Sequence, residues 1–203
     1  MFSEMIDRYD DRSKLYHGGL NLILGMAFTV AVPIIVFRDL IMNFLYTETT
    51  EGSIQSLSIL LVAFLWKSSL FVTSALLTAH KMFKALTWLF ALSVIVNITS
   101  NVVAIPIMKI IGASWATLAS QVFVALGCLY FVHHKKLVNN FGKGYIRILL
   151  FGVLSVLLGI LFTFVEIASS WMSFVVLLWA LGVLYLLLNF NVITQLSREF
   201  QRR

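Results

Sequence analysis

The chain has 203 residues, of which 60% are hydrophobic and 12% charged, with a mean hydropathy of +0.95. An ordinary soluble domain is roughly 45–50% apolar and about 25% charged, so a soluble enzyme or soluble binding module is excluded and an integral membrane protein is expected. The net charge of +6 is read as membrane topology and contact with anionic membrane lipids, with no nucleic-acid partner.

Residues 1–17 place four acids and three bases ahead of the first apolar block. A signal peptide needs a basic region leading directly into a short apolar stretch, so this segment reads as a cytoplasmic N-terminal segment. Six apolar blocks follow, at 18–37, 54–79, 85–108, 111–132, 146–165 and 168–190. At 1.5 Å per residue each reaches across a hydrocarbon layer of roughly 30 Å. The apolar residues run in long blocks without the alternation of barrel strands, and a helix satisfies its own backbone in lipid. The expected fold is therefore all-α, a six-helix transmembrane bundle. Residues 37–46, with the Arg38-Asp39 pair, read either as a short interfacial helix or as an extension of the first span. Four spans fill 18–135. A cytoplasmic loop and two peripheral spans occupy 136–190, and 191–203 is a basic cytoplasmic tail.

Charge placement orients the blocks. Arg8, Arg12, Lys14, Lys81, Lys84, Lys135, Lys136, Lys143, Arg147, Arg198, Arg202 and Arg203 all fall on one side if the six blocks alternate. The opposite connections hold only Arg38 and Lys109 among bases, with Asp39, Glu48, Glu51 and Glu166. By the positive-inside rule both termini are cytoplasmic. Trp88, Trp115, Trp171, Tyr46, Tyr130, Tyr145 and Tyr185 lie near block ends, where amphipathic rings favour the interface.

The fifteenth base, Lys67, sits in the middle of the second block, in FLWKSSLF. A charge at that depth costs about 2.5–3.5 kcal/mol on insertion scales. On the same helix, helical spacing places Ser56, Ser74 and Thr78 on one face with Lys67. The third block carries Ser93, Asn97, Ser100 and Asn101 along one face, and the fourth carries Ser114, Thr117, Gln121 and Cys128. Two readings are open: hydroxyls and amides as interhelical glue, or three faces converging on a water-filled cavity. No acid lies within any block to neutralise Lys67, which favours the cavity, because an intramembrane lysine needs water, an anionic ligand or an acid from elsewhere. Gly152, Ser155 and Gly159 form a small-residue face on the fifth block, suited to close packing, while the sixth block shows almost no polar face and is expected against lipid.

No catalytic constellation is present: HExxH, GxSxG and the phosphate-binding GxxxxGK[ST] are all absent, and the acids are scattered through loops. No catalytic residue, metal ligand or cofactor is assigned. His80, His133 and His134 neighbour lysines at block ends and read as interfacial bases. The single cysteine, Cys128, excludes an intrachain disulfide.

One stretch is more specific. NITSNVVAIPIMKIIGASWATLASQ, 97–121, resembles the "N…N…IP…G..GA..AT..S" signature of polysaccharide, or lipid-linked oligosaccharide, flippases of the multidrug/oligosaccharidyl-lipid/polysaccharide exporter superfamily. Asn97, Asn101, Ile105, Pro106, Gly112, Ala113, Ala116, Thr117 and Ser120 match in order. Pro106 is expected to end the third span and Gly112 to permit a tight turn, with Ala113, Ala116 and Ser120 allowing close packing of the fourth. Pro33 in the first span and SALLTAHKMFKAL before the third fit the same pattern. The resemblance implies two related bundles around a central cavity and transport by alternating access, with no bond made or broken. This chain would correspond to the last six of fourteen spans, as a fragment, a split-gene product or a half that works with a partner chain carrying the N-terminal bundle. The substrate implied is undecaprenyl-diphosphate-linked oligosaccharide, for O-antigen, capsule or exopolysaccharide. Lys67 would then meet the diphosphate or an acidic sugar, and Ser74, Asn97, Asn101 and Gln121 would line the substrate path, the amides facing sugar hydroxyls. The alternatives are a multidrug or small-molecule exporter of the same superfamily and a non-transporting membrane subunit that organises glycan assembly.

Overall fold

The computed structural model describes residues 9–138, 141–164 and 170–201. The junction expected between spans five and six, at 165–168, and the bases Arg8, Arg202 and Arg203 lie outside the described residues. Six helices follow in order: α1 (Tyr9–Val36), α2 (Arg38–Leu45), α3 (Glu51–Ala79), α4 (Phe83–His134), α5 (Phe141–Phe164) and α6 (Ser170–Gln201). No strand occurs among the described residues, and five of the helices are long and apolar enough to cross a membrane.

Helix α1 begins earlier than its apolar block, because Ser13, Tyr16 and Leu20 already pack inward. It breaks at Phe37, and α2 is a separate helix, which resolves the alternative in favour of a short amphipathic element. The Arg38 guanidinium donates to Ser58 Oγ at 3.4 Å and links α2 to α3. The start of α3 is set by a capping box. The Thr50 hydroxyl oxygen accepts from Ser53 N–H at 3.3 Å while Ser53 Oγ accepts from Thr50 N–H at 3.1 Å, pairing two amides that a helix leaves open.

The third and fourth apolar blocks form one 52-residue element, α4, broken at Lys109, where φ is 51° and ψ is −124°. Three close approaches show that its two arms, 83–108 and 110–134, fold back on one another. Asn97 bonds Ser120, Gly127 lies against Leu89, and Gly112 lies against Ala104. The residue numbers of each pair sum to 216 or 217, the register of an antiparallel helical hairpin turning near 108. The first arm runs two residues past Pro106, and the residue with positive φ is Lys109, so neither Pro106 nor Gly112 itself makes the turn. Gly112 acts through close approach: a Cβ there would lie 2.5 Å from the Ala104 carbonyl carbon and 3.0 Å from the Ile105 nitrogen.

Helix α1 is the hub, packing on α3, α5 and α6, while α3 packs on α4. Phe28 lies over Gly152, and Val32 and Val36 lie over Gly159, so the small-residue face of α5 receives α1 as its composition predicts. Helix α6 departs from expectation. Leu177, Leu181 and Asn189 are buried, and the Asn21 amide donates to Asn189 Oδ1 across the α1–α6 contact. The apolar block of α6 hides its single amide, because an unpaired amide in an apolar interior costs more than the bond returns.

Candidate functional site

The three polar stripes do not meet in one place. On α4, the Asn97 amide donates to Ala116 O at 3.3 Å and to Ser120 Oγ at 3.2 Å, and the Asn101 amide donates to Asn97 Oδ1 at 3.0 Å. The two Asn97 bonds clamp the arms of the hairpin, which is the geometry of interhelical glue, and Asn101 holds Asn97 from within the same arm. Ser74 donates to Leu70 O at 2.5 Å and so is engaged with its own helix. Gln121 is half-buried on the second arm, and its side chain makes no hydrogen bond among the described residues.

Lys67 lies apart from all of these, exposed on the outer face of α3. Leu60, Phe64 and Phe71 flank it at helical spacing and are 43%, 42% and 60% exposed. The opposite face of α3 buries Ser69, Val72 and Leu76, and on one side the buried surface comes up to Ala63 and Leu70, one turn from Lys67. Ser56, on the same face as Lys67 by periodicity, is buried, because at its level α2 and the second arm of α4 cover the helix. One lysine in an apolar outer face is costly against hydrocarbon, so this face requires water, an anion or a protein surface.

The neighbouring surface is also uncovered. In the first arm of α4 only Leu86 and Leu89 are buried. Val94, Ile95, Ile98, Val102, Val103 and Ile107 are each more than half exposed. The short link 80–82 turns the chain back from α3 onto the first arm and the bend at Lys109 turns it again, so α3 and the second arm run parallel, with Gly52 against Ile110 at an offset near 58. That register sets Lys67 level with Ala125 and, through the hairpin, with Leu92. The open lysine and the open hairpin arm therefore lie at the same depth.

Two clefts open elsewhere. One, of about 580 Å³, is apolar and lies between α1, α3 and α5, lined by Phe28, Trp66, Ile148 and Gly152 among others. The second, of about 570 Å³, lies beside the hairpin turn, where Ala113 and Thr117 face Ser53, Ser56 and Glu48. Neither is lined by Lys67, Ser74, Asn97, Asn101 or Gln121. Thr117 also donates to Ala113 O at 3.0 Å, so these signature residues shape the start of the second arm, and Pro106 stays exposed.

Two polar groups escape the sequence reading. Tyr16, fully buried, shares a hydrogen bond with Tyr145 at 3.0 Å, and Tyr145 approaches His133 Nε2 at 3.5 Å, joining α1, α5 and the end of α4. The other is the Asn21–Asn189 pair, for which a signal exists: each is the lone amide of its apolar block.

Fold and composition together define an α-helical multi-pass membrane protein. No family model, no curated protein and no solved structure matches the chain.

Proposed function

We propose that the chain is the C-terminal, six-crossing half of a flippase for undecaprenyl-diphosphate-linked oligosaccharide in a bacterial inner membrane, with both termini cytoplasmic. The observation that carries this reading is Lys67, an exposed base at mid-height on α3, level with an uncovered hairpin arm. An exposed apolar face of a membrane helix ordinarily meets lipid tails, and the charge in the middle of this one sets it apart, because it costs about 2.5–3.5 kcal/mol there. A second bundle facing α3 and the first arm of α4, from the same polypeptide or from a partner chain, would enclose Lys67 in a water-filled space. There its ammonium would meet the diphosphate of the lipid carrier. The match of residues 97–121 to the flippase signature supports the same family, and the signature asparagines act in this reading by holding the hairpin in shape.

The test is glycan export in a flippase-null bacterium producing the complete two-bundle carrier, normalised to the amount of carrier in the membrane. Lys67→Arg should keep most of the activity, since the charge is retained. Lys67→Met, similar in volume but neutral, should remove most of it at normal abundance. Normal export with Lys67→Met ends the ligand role. Depletion of the Met variant from the membrane points to an ion pair with an acid of the other bundle, because stranding one partner of a buried pair costs about 3–5 kcal/mol.

A further inference from the structure

The ends of α3 and of the second arm of α4 repeat one backbone structure. At the first, the N–H of Lys81 donates to Thr78 O at 2.9 Å and that of Met82 to Leu77 O at 3.0 Å. At the second, the N–H of Lys136 donates to His133 O at 3.0 Å and that of Leu137 to Val132 O at 3.0 Å. Both are Schellman caps, with Met82 and Leu137 packed on the core cluster that contains Leu77 and Val132. The residue in the left-handed region is a lysine each time, with φ of 57° at Lys81 and 48° at Lys136. That position ordinarily takes glycine, because a Cβ there crowds the backbone. Since the two helices run parallel, both caps lie at the same end of the molecule.

Lys81, Lys84 and Lys135 are all exposed at that end. Between Glu51 and Glu166 the sequence contains no acid, so the C-terminal half of α3, α4 and their caps supply no carboxylate to offset these charges. Phe83, Trp88 and Tyr130 are exposed close by, and the Tyr130 ring stacks on His134 at 5.3 Å. Exposed amphipathic rings beside lysines at the end of apolar helices mark the depth of lipid headgroups. A cation near a helix C-terminus offsets the helix dipole, but any position in the last turn does so. That role gives no reason to place lysine where glycine is less strained. Strain of this kind persists where the surrounding structure over-determines it, and it clusters at functional positions.

We propose that the paired caps form a binding surface for an anionic phospholipid headgroup of the leaflet they face, with Lys81, Lys84 and Lys135 supplying the charge. This rests on the membrane reading alone and not on the transported substrate.

Native mass spectrometry of the purified full chain, offered phosphatidylglycerol or phosphatidylcholine, tests it. Wild type should prefer phosphatidylglycerol, and the preference should fade as salt rises from about 0.05 M to about 0.5 M. Lys81→Gly should raise the thermal midpoint while weakening phosphatidylglycerol binding about fivefold, the equivalent of about 1 kcal/mol per base near an anionic surface. The triple variant K81Q/K84Q/K135Q should bind both lipids equally, and K81R/K84R/K135R should keep the preference. Three results would each overturn the proposal: an unchanged preference in K81Q/K84Q/K135Q, no preference in wild type, or full displacement of the lipid by an equal concentration of inorganic diphosphate. The last would mark a free-phosphate site. Because export plays no part in these readouts, failure here leaves the flippase reading standing, and failure of that reading leaves this one.

Discussion

Substituting Gly112 by alanine should open the α4 hairpin. The new methyl would lie 2.5 Å from the Ala104 carbonyl carbon and 3.0 Å from the Ile105 nitrogen, against the 3.4 Å at which ordinary contact begins. Both obstructing atoms are backbone, so no rotamer change relieves the overlap, and the arms must separate by about 1 Å at this point. The Asn97 bonds to Ala116 O and Ser120 Oγ, at 3.3 and 3.2 Å, are already near the limit of hydrogen bonding and would be lost. Overpacking costs about 1–3 kcal/mol, and interhelical bonds in a membrane average about 0.6 kcal/mol each. The expected loss is therefore about 2–4 kcal/mol. Gly182→Ala is the control, since a Cβ there meets nothing within 4 Å and alanine is the better helix former. Reversible unfolding of the purified protein in mixed micelles gives both values. A Gly112→Ala protein as stable as wild type, with Gly182→Ala also neutral, would refute the antiparallel register that sets Gly112 against Ala104.

Three further outcomes are expected. Asn189→Leu leaves the Asn21 amide buried without its partner and should cost about 1–3 kcal/mol in the same assay, whereas the double variant N21L/N189L should recover part of the loss; equal losses in single and double variants would exclude the pairing. Lys109 has the dihedrals of the first central position of a type II′ turn, where glycine is preferred. Lys109→Gly should thus stabilise by about 1 kcal/mol once the unfolded-state entropy of glycine is set against the relieved strain, and a lower midpoint would contradict this geometry. In a Cys128→Ala background, a membrane-impermeant thiol reagent should label a cysteine placed at Thr47 and spare one at Lys135, both exposed; the reverse labelling would invert the proposed topology.

Much of the architecture is legible without coordinates, because burying an apolar backbone in lipid leaves few choices. The long apolar blocks imply helices, and among the described residues α1, α3, α5 and α6 cover the blocks that predict them to within two residues. The small-residue face of α5 is legible too, since Gly152 and Gly159 leave room for Phe28 and Val32 whichever helix brings them. The separateness of α2 is not, because Phe37 and its neighbours suit a continued helix as well as a break. The turn between the third and fourth blocks, at 109–110, is legible, but that Lys109 takes the positive φ is not, because tertiary packing holds a lysine there in a conformation that its own preferences oppose.

The candidate site divides in the same way. Periodicity by itself places Ser56, Lys67, Ser74 and Thr78 on one face of α3 and identifies Lys67 as the one base inside an apolar block. It cannot say what covers that face, because a helix stripe records direction and not neighbours. Only the tertiary structure decides that Ser56 is buried under α2 and α4 while Lys67, three turns further on, stands open. The same packing turns Asn97 inward to clamp the hairpin, with Asn101 bonded to it from the same arm. The physical reason is that amide pairing depends on which helix lies across the gap, and that depends on the hairpin register set by Gly112, Gly127 and the bend at Lys109.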